Sequence, residues 1–217
     1  MTSYLFTLNA AALIALPSGA LHWPDQSLLV VSDLHFGKAE RLARRGGTLL
    51  PPFDTTETLS RLDRDITQTN PASVICLGDS FDDIDAVQGL ADTDRLWLAK
   101  LMAGRNWTWV LGNHDPGPIN LGGCHKAEIT LGPLTFRHIA DATKTAEVSG
   151  HYHPKARIAG QSRACFLLDE LRLIMPAYGA YTGGLWSDHA ELTSLMQSNA
   201  IAILTGPRAI PMPMPRA

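Results

Sequence analysis

The chain has 217 residues, of which 45% are hydrophobic and 18% are charged, and its formal net charge is −3 at pH 7. This balance is that of a globular protein, and the length suits one large domain or two small ones. The weakly negative charge excludes a global attraction to nucleic acid, so any such attraction must be local or come from metal ions.

The cysteines and the apolar segments bear on the location of the protein. Cys76, Cys124 and Cys165 form neither an even disulfide set nor a Cys-x-x-Cys pair, which predicts buried thiols in a reducing compartment. The apolar segment 10–16 has no Lys or Arg before it and ends at Pro17, unlike a signal sequence. No segment is long enough to span a membrane. We therefore expect a soluble, cytoplasmic protein.

Short apolar strands alternate with helices in the first half of the chain. We expect short strands between residues 4 and 23, then strands at 27–32, 72–77 and 107–111, and helices at 38–45, 54–70 and 94–103. Asp54 followed by Glu57 has the pattern of a helix N-cap with a capping box. The order strand, helix, strand indicates a parallel α/β unit.

Short strands dominate the second half. We expect them at 127–131, 134–138, 147–149, 157–158, 165–168, 171–175 and 200–204, with one helix at 190–196. Residues 207–217 are rich in Pro and Met, which predicts a flexible tail. There is no internal repeat and no low-complexity linker, so a single domain over residues 1–206 with two sheets is the simplest organisation.

Polar residues of metal-binding type follow the apolar strands repeatedly. Asp33 and His35 end the strand at 27–32, and their spacing places both side chains on one face of an extended chain. Asp79 follows the next strand at its carboxyl end, where open α/β sheets place their sites. Three further clusters come later in the chain: Asn113-His114-Asp115, His138, and His151-Tyr152-His153.

Each cluster alone has a commonplace explanation, since Gly-Asp and Gly-Asn are turn signals and single histidines are often surface residues. That explanation does not account for the repeated occurrence of metal-binding residue types directly after apolar strands. Two ions that share one carboxylate can use all the candidate ligands, and such pairs, about 3.5–4 Å apart, clamp phosphoryl groups. Oxygen and nitrogen ligands without thiolates favour manganese, iron or zinc. The candidates are Asp33, His35, Asp79, Asn113, His138, His151 and His153.

Taken together, these motifs resemble the calcineurin-like binuclear metallophosphoesterases. The resemblance implies an α/β fold: a two-sheet β-sandwich flanked by α-helices in four αββα layers. It implies a first metal held by Asp33, His35 and His153. It implies a second metal held by Asn113, His138 and His151.

The same resemblance implies roles for three further groups. Asp79 would bridge the two metals. His114 would face the phosphate and assist the leaving oxygen without binding metal. Asp82 would orient His114, although the adjacent Asp83 competes for that assignment.

Segments 28–39, 135–138 and 175–184 resemble, more narrowly, the bacterial ligase-associated DNA damage response endonucleases. That resemblance implies manganese-dependent cleavage of phosphodiester bonds in single-stranded or looped DNA during repair. It also implies association with a DNA ligase, an exonuclease and a helicase. The segment Pro176–Gly184 is either a close-packed turn or part of the substrate site.

Substrate contacts are expected near the first metal motif. Lys38 and Arg41 lie a few residues after His35 and are candidates to contact DNA phosphates, the alternative being a solvated helix face. The side chains of Tyr152, Tyr178 and Tyr181 are candidates for stacking on bases.

Two other functions remain open. A small-molecule phosphatase or cyclic-nucleotide phosphodiesterase would use the same metals, and the acidic net charge suits it. A non-catalytic interaction module on the same fold would be expected to lack ligands or His114, and all of these residues are present.

Overall fold

The computed structural model describes residues 2–44, 46, 53–115 and 117–216. The strands of these residues are β1 (Tyr4–Leu8), β2 (Ala11–Ala15), β3 (Leu21–Trp23), β4 (Leu28–Val31), β5 (Ser73–Leu77), β6 (Asn106–Val110), β7 (Cys124–Lys126), β8 (Glu128–Leu131), β9 (Leu134–Arg137), β10 (Glu147–Ser149), β11 (Lys155–Ile158), β12 (Gln161–Leu168), β13 (Arg172–Ile174), β14 (Ile201–Leu204) and β15 (Ile210–Pro213). The α-helices are α1 (Lys38–Arg44), α2 (Asp54–Thr69), α3 (Ile84–Gly89), α4 (Asp92–Met102) and α5 (Ala190–Leu195).

The first sheet has the strand order β1 to β7 and changes character at β4. Strands β1 to β4 pair antiparallel, whereas β4 to β7 pair parallel. The apolar sequence of β4 explains its central place. Leu28 and Val30 pack on one face of the sheet and Leu29 and Val31 on the other, so all four side chains are buried.

The second sheet has the order β15-β14-β12-β13-β10-β9-β8, and β11 pairs with β12. Strands β9, β10 and β13 are parallel to one another, and the remaining pairs are antiparallel. Parallel strands therefore lie within each sheet, and the ends of these strands position the site described below.

Three apolar clusters define the layers. Val30 of the first sheet and Phe136 of the second belong to the cluster between the sheets. The other face of the first sheet packs against α2 and α4, for example through Leu62. The outer face of the second sheet packs against α5, through Leu192 and Ala202. The order helix, sheet, sheet, helix confirms the predicted four-layer fold.

The chain end is more ordered than its composition suggests. The prediction of a flexible tail at 207–217 is wrong for Ile210–Pro213, which pairs antiparallel with β14. Proline is tolerated here because β15 is the edge strand of its sheet. Met214 is buried, and its N–H donates to the carbonyl of Ala200 at 2.9 Å.

Two local predictions also need correction. The first residue of α2 is Asp54, whose carboxylate accepts a hydrogen bond from the Ala39 N–H at 3.1 Å instead of capping its own helix; the N-cap residue is Phe53. A long-range contact thus replaces the capping box. Cys76 and Cys165 are buried as expected, but Cys124 is exposed.

Some residues of the sequence cannot be compared with the structure. Arg45, Gly47 and Pro116 lie outside the described residues. Within the described residues, no helix combines the length and the apolar character needed to cross a bilayer.

The segment Pro176–Gly184 packs against the chain that follows β4. The Tyr178 N–H donates to the carbonyl of Ser32 at 2.8 Å, and the Gly179 N–H donates to that of Asp33 at 3.1 Å. A Cβ at Gly179 would overlap the carbonyl oxygen of Leu34. The segment is therefore a close-packed turn, and it supports the backbone that carries Asp33.

The same segment is fastened to helix α2. The Tyr178 hydroxyl donates to Asp65 at 2.7 Å, and Arg61 donates to the Tyr178 carbonyl at 2.7 Å. Burial, and then the charge of Asp65, raise the pKa of Tyr178 well above its usual value. Because its ring is fully buried, Tyr178 is not the stacking platform that the sequence suggested.

Gly179→Ala tests this support. The added methyl group must displace the loop at Leu34, and overpacking of this kind costs about 1–3 kcal/mol. We expect a lower melting temperature and weaker metal binding, measured by thermal unfolding and calorimetric titration. Gly183→Ala is the matched control, since its added Cβ meets no atom within 4 Å. Equal behaviour of the two variants would contradict the supporting role.

Candidate metal centre

The candidate ligands meet where strands of both sheets end. Asp33 and His35 follow β4, Asp79 follows β5, and backbone hydrogen bonds join the two loops, His35 N–H to the Asp79 carbonyl at 3.0 Å among them. From the second sheet, the N–H of Gly150, after β10, donates to the carbonyl of His138, after β9, at 2.9 Å. The two-sheet arrangement therefore brings candidate ligands from distant parts of the chain together where strands of both sheets end.

A first group comprises Asp33, His35 and His153, whose ligand atoms lie within 4.8 Å of one another. His153 Nε2 is 3.0 Å from Asp33 Oδ1 and 3.4 Å from His35 Nε2. Two imidazole nitrogens facing each other across one carboxylate are arranged as if around a shared cation.

A second group comprises Asp79, His138 and His151, with Asn113 beside it. His138 Nε2 lies 3.3 Å from Asp79 Oδ2, 3.0 Å from Asn113 Oδ1 and 3.3 Å from His151 Nδ1. The groups adjoin, because His138 Nδ1 is 3.9 Å from Asp33 Oδ1. The structure thus brings all seven predicted ligands into one cluster.

Hydrogen bonds behind the cluster fit it for metal binding. The Nδ1 atom of His35 is 2.8 Å from an Asp82 oxygen, and that of His138 is 2.8 Å from the Leu77 carbonyl. An Nδ1–H that donates to such an oxygen leaves the Nε2 lone pair directed at the centre, which is the usual arrangement of metal-binding histidines. The donor set of carboxylates, imidazoles and one amide suits divalent manganese, iron or zinc.

The charges at the centre depend on one another. Burial alone would raise the pKa of Asp79, but the hydrogen bond and charge of His138 lower it to about 2. Burial would lower the pKa of His138, but Asp79 and Asp33 raise it to about 9. In the absence of metal, the buried carboxylates therefore hold a proton on a neighbouring imidazole, as expected of a site built for cations.

The backbone at the site is strained. Five of the seven candidate ligands have positive φ, a region that costs non-glycine residues about 1–3 kcal/mol each. They are Asp33, His35, Asp79, His151 and His153, with φ between 47° and 71°. Hydrogen bonds between the loops offset this cost; the His151 N–H, for example, donates to Asp33 Oδ2 at 3.0 Å. Such strain clusters at functional sites because it aims side chains that ordinary strand ends would not.

The contacts of Asp82 differ from those predicted. Its carboxylate binds His35 and the side chain of Arg41, while its backbone carbonyl accepts a hydrogen bond from His114 Nδ1 at 2.9 Å. The carboxylate therefore orients a candidate metal ligand, and only the carbonyl orients His114. Arg41, predicted to contact DNA, forms an ion pair with Asp82. The adjacent Asp83 carboxylate accepts the Ala86 N–H and caps α3.

His35, Asp82 and His114 also lie close enough to hold an ion. Both carboxylate oxygens of Asp82 are already engaged, one by His35 and the other by Arg41. This third group is better described as a hydrogen-bond network beside the metal centre.

Sequence reasoning missed the role of Asp115. Its buried carboxylate accepts hydrogen bonds from the N–H groups of Asp79, Ser80, Phe81 and Gly112, at 2.8–3.2 Å. Burial raises its pKa to about 6 despite these bonds. Asp115 therefore ties the loop after β5 to the loop after β6. Its position directly after His114 was the available signal.

The remaining predicted contact residues lie around the centre. Lys38 begins α1 and is partly exposed, three residues after His35. Tyr152 is buried, as Tyr178 is, whereas Tyr181 is 46% exposed. Lys38 and Tyr181 therefore remain accessible, and the other two tyrosines belong to the interior.

Residues 27–205 match the sequence profile of the calcineurin-like phosphoesterases. The chain belongs to this family. Calcineurin-like phosphoesterases use a binuclear metal centre, and the two adjoining His/Asp groups are candidate metal-binding clusters. The protein is therefore a metal-dependent phosphoesterase, although no curated protein sequence matches the chain significantly.

A solved structure adds a nuclease to these similarities. The crystal structure of Pseudomonas putida nuclease MPE superposes on this calcineurin-like phosphoesterase with a TM-score of 0.77 and 27% sequence identity. The match covers 97% of this chain and 100% of the nuclease. It is consistent with the narrower resemblance to the ligase-associated endonucleases.

Asp82→Asn and Asp83→Asn form a matched pair that tests the network behind His35. Asn at position 82 loses the charge that holds His35 and Arg41, and loss of such a partner typically weakens metal affinity about 10- to 100-fold. Asn at position 83 can still cap α3, so its affinity should stay unchanged. Calorimetric manganese titration measures both. Equal affinities would show that the Asp82 carboxylate does not orient a ligand.

Proposed function

We propose that the protein is an endonuclease that cleaves phosphodiester bonds in single-stranded or looped DNA, with two divalent metal ions as cofactors. The observation that carries this proposal is the pair of adjoining His/Asp groups with His114 at their margin. The similarity to a nuclease over nearly the whole chain supports DNA as the substrate. Manganese is the proposed metal, and iron or zinc would satisfy the same donors.

In this proposal Asp33, His35 and His153 hold one ion, and Asn113, His138 and His151 hold the other, with Asp79 shared. When bound, the ions supply an activated water and neutralise charge on the phosphoryl oxygens. The chain contributes the fixed positions of these ligands, because strained backbone and buried hydrogen bonds hold them before any substrate arrives.

In this proposal His114 is the general acid that protonates the leaving oxygen. Its Nδ1 is held by the Asp82 carbonyl, and its backbone N–H donates to Asp79 Oδ1 at 2.8 Å. The role therefore requires the protonated imidazolium form of His114, whose Nε2–H is the donor left to protonate a leaving oxygen. The side chain is partly exposed, so a substrate can reach it. Because His114 does not bind metal in this proposal, its replacement should lower turnover and leave the metal content unchanged.

His114→Gln tests this division of roles. General acids typically contribute about 10²–10⁴-fold, so turnover on DNA should fall by that order while two ions stay bound. The loss should be smaller on bis-p-nitrophenyl phosphate, whose leaving group needs no proton. His189→Gln, at the start of α5, is the control and should behave as the native protein does. Loss of metal from the His114→Gln protein would refute the assignment.

The substrate is tested by assaying a labelled DNA hairpin beside the small ester, with manganese added to metal-stripped protein. Internal cuts in the hairpin that disappear in His114→Gln would support the nuclease. Hydrolysis of the ester with intact DNA would overturn it in favour of a small-molecule phosphatase or cyclic-nucleotide phosphodiesterase. Hydrolysis of neither would favour the interaction module.

The proposal also covers the cellular process, the location and the partner proteins of this activity. Repair of DNA in the cytoplasm, together with a DNA ligase, an exonuclease and a helicase, is supported by the narrower family resemblance. The free state of all three cysteines fits a reducing compartment. Sensitivity of a deletion strain to DNA-damaging agents, restored by the native gene but not by one encoding His114→Gln, would support it.

A further inference from the structure

A cationic shelf lies beside the candidate metal centre, formed by Lys155, Arg157 and Trp186. The two cations stand two residues apart on β11 and leave the same face of the strand. Lys155 Nζ lies 4.7 Å, and Arg157 Cζ 4.1 Å, from the centre of the Trp186 ring. The intervening Ala156 is buried in the cluster beneath α5, so the shelf faces away from the interior.

The charges of the shelf are not neutralised by the protein. Among the described residues, neither Lys155 nor Arg157 forms an ion pair with a carboxylate, although Arg137 and Arg172 both pair with Glu147. Both cations adjoin one ring, so they lie within the Debye length of about 10 Å at 0.1 M salt and repel each other. An anion between them would relieve that repulsion.

Neighbouring residues leave the shelf open. The residues paired with Lys155 and Arg157 on the adjacent strand are Ala164 and Ser162, whose side chains are small. A guanidinium over an indole keeps its N–H edge outward, because the ring offers no acceptor for those hydrogens. That edge suits two hydrogen bonds to a phosphate.

The shelf is fixed relative to the metal centre. Lys155 follows His153 by two residues, a span of at most about 7 Å. The Lys155 N–H donates to the Leu185 carbonyl at 2.9 Å, and the Leu185 N–H donates to the Tyr152 carbonyl at 3.1 Å. These bonds hold the segment that carries Trp186 against the loop that carries His153. The shelf therefore lies within reach of a strand that is bound at the metal centre.

We propose that the cationic shelf binds the phosphate backbone of the DNA strand next to the bond that is cut. This inference rests on the proposed function and extends it, since it names the surface that receives the strand. Holding both cations on the indole before binding lowers the entropy lost when the complex forms. The shelf also supplies the local positive charge that a chain of net charge −3 lacks overall.

The test compares two double variants with the same change in charge. Lys155→Gln/Arg157→Gln removes the cations of the shelf. Lys100→Gln/Lys144→Gln removes two exposed cations far from the metal centre. Lys100 precedes β6 and Lys144 precedes β10, so both lie toward the starts of strands whose other ends lead to the centre. The metal-loaded proteins are assayed at several salt concentrations on a DNA hairpin, and on bis-p-nitrophenyl phosphate in parallel.

Two lost phosphate contacts to a single strand reduce the slope of log affinity against log salt by about 1.4. Between about 50 and 200 mM salt, the rise in KM for DNA should then be about sevenfold smaller in Lys155→Gln/Arg157→Gln than in the control. Activity on the small ester should be equal in both variants.

Each other outcome overturns the inference. Equal salt dependence in the two double variants would show that the shelf does not contact DNA, with the nuclease proposal intact. An equal loss on the small ester would place the effect in the metal centre. Native protein that hydrolyses the ester and leaves DNA intact would overturn the nuclease proposal, and the shelf inference with it.

Discussion

Two buried carboxylates, Asp33 and Asp79, lie at the ends of adjacent strands, and their requirement for positive charge governs the site. They are 0% and 2% exposed, so water does little to stabilise them. Unpaired carboxylates in such a place would be very costly. Imidazoles of His138 and His153 surround them at 3.0–3.9 Å, and metal ions would satisfy both kinds of group together. The parallel strands, the strained loops and the hydrogen bonds behind the histidines all position these groups.

The fold meets this requirement by fastening loops to one another. Asp115 gathers four backbone N–H groups of two loops, and the turn around Gly179 packs against the loop that carries Asp33. At Gly78, positive φ and the closeness of the His138 ring leave no room for a side chain. These contacts determine where ligands point, although Asp115, Gly179 and Gly78 need not touch a metal themselves.

Sequence reasoning succeeded where chemistry is local. The candidate ligands follow apolar strands such as β4 directly, so residue type and spacing were enough to select residues that the structure brings together. The four-layer α/β fold was implied by the family resemblance that these motifs carry. Sequence reasoning failed where partners are far apart in the chain. The Asp82 carboxylate contacts His35, 47 residues away, and no local pattern distinguishes that contact from one to His114. The Asp54 carboxylate similarly binds the N–H of Ala39 instead of capping α2. Strand β15 escaped detection because its prolines are acceptable only at a sheet edge, and the sequence does not show where the edge lies.

The central claim is that one carboxylate, that of Asp79, serves two metal ions. Anomalous diffraction at the manganese edge, on crystals of the native protein grown with manganese, tests it most directly. The account predicts two ions about 3.5–4 Å apart, one beside Asp33 and one beside His151, with oxygens of Asp79 on both. A single ion, or two ions of which only one contacts Asp79, would contradict it.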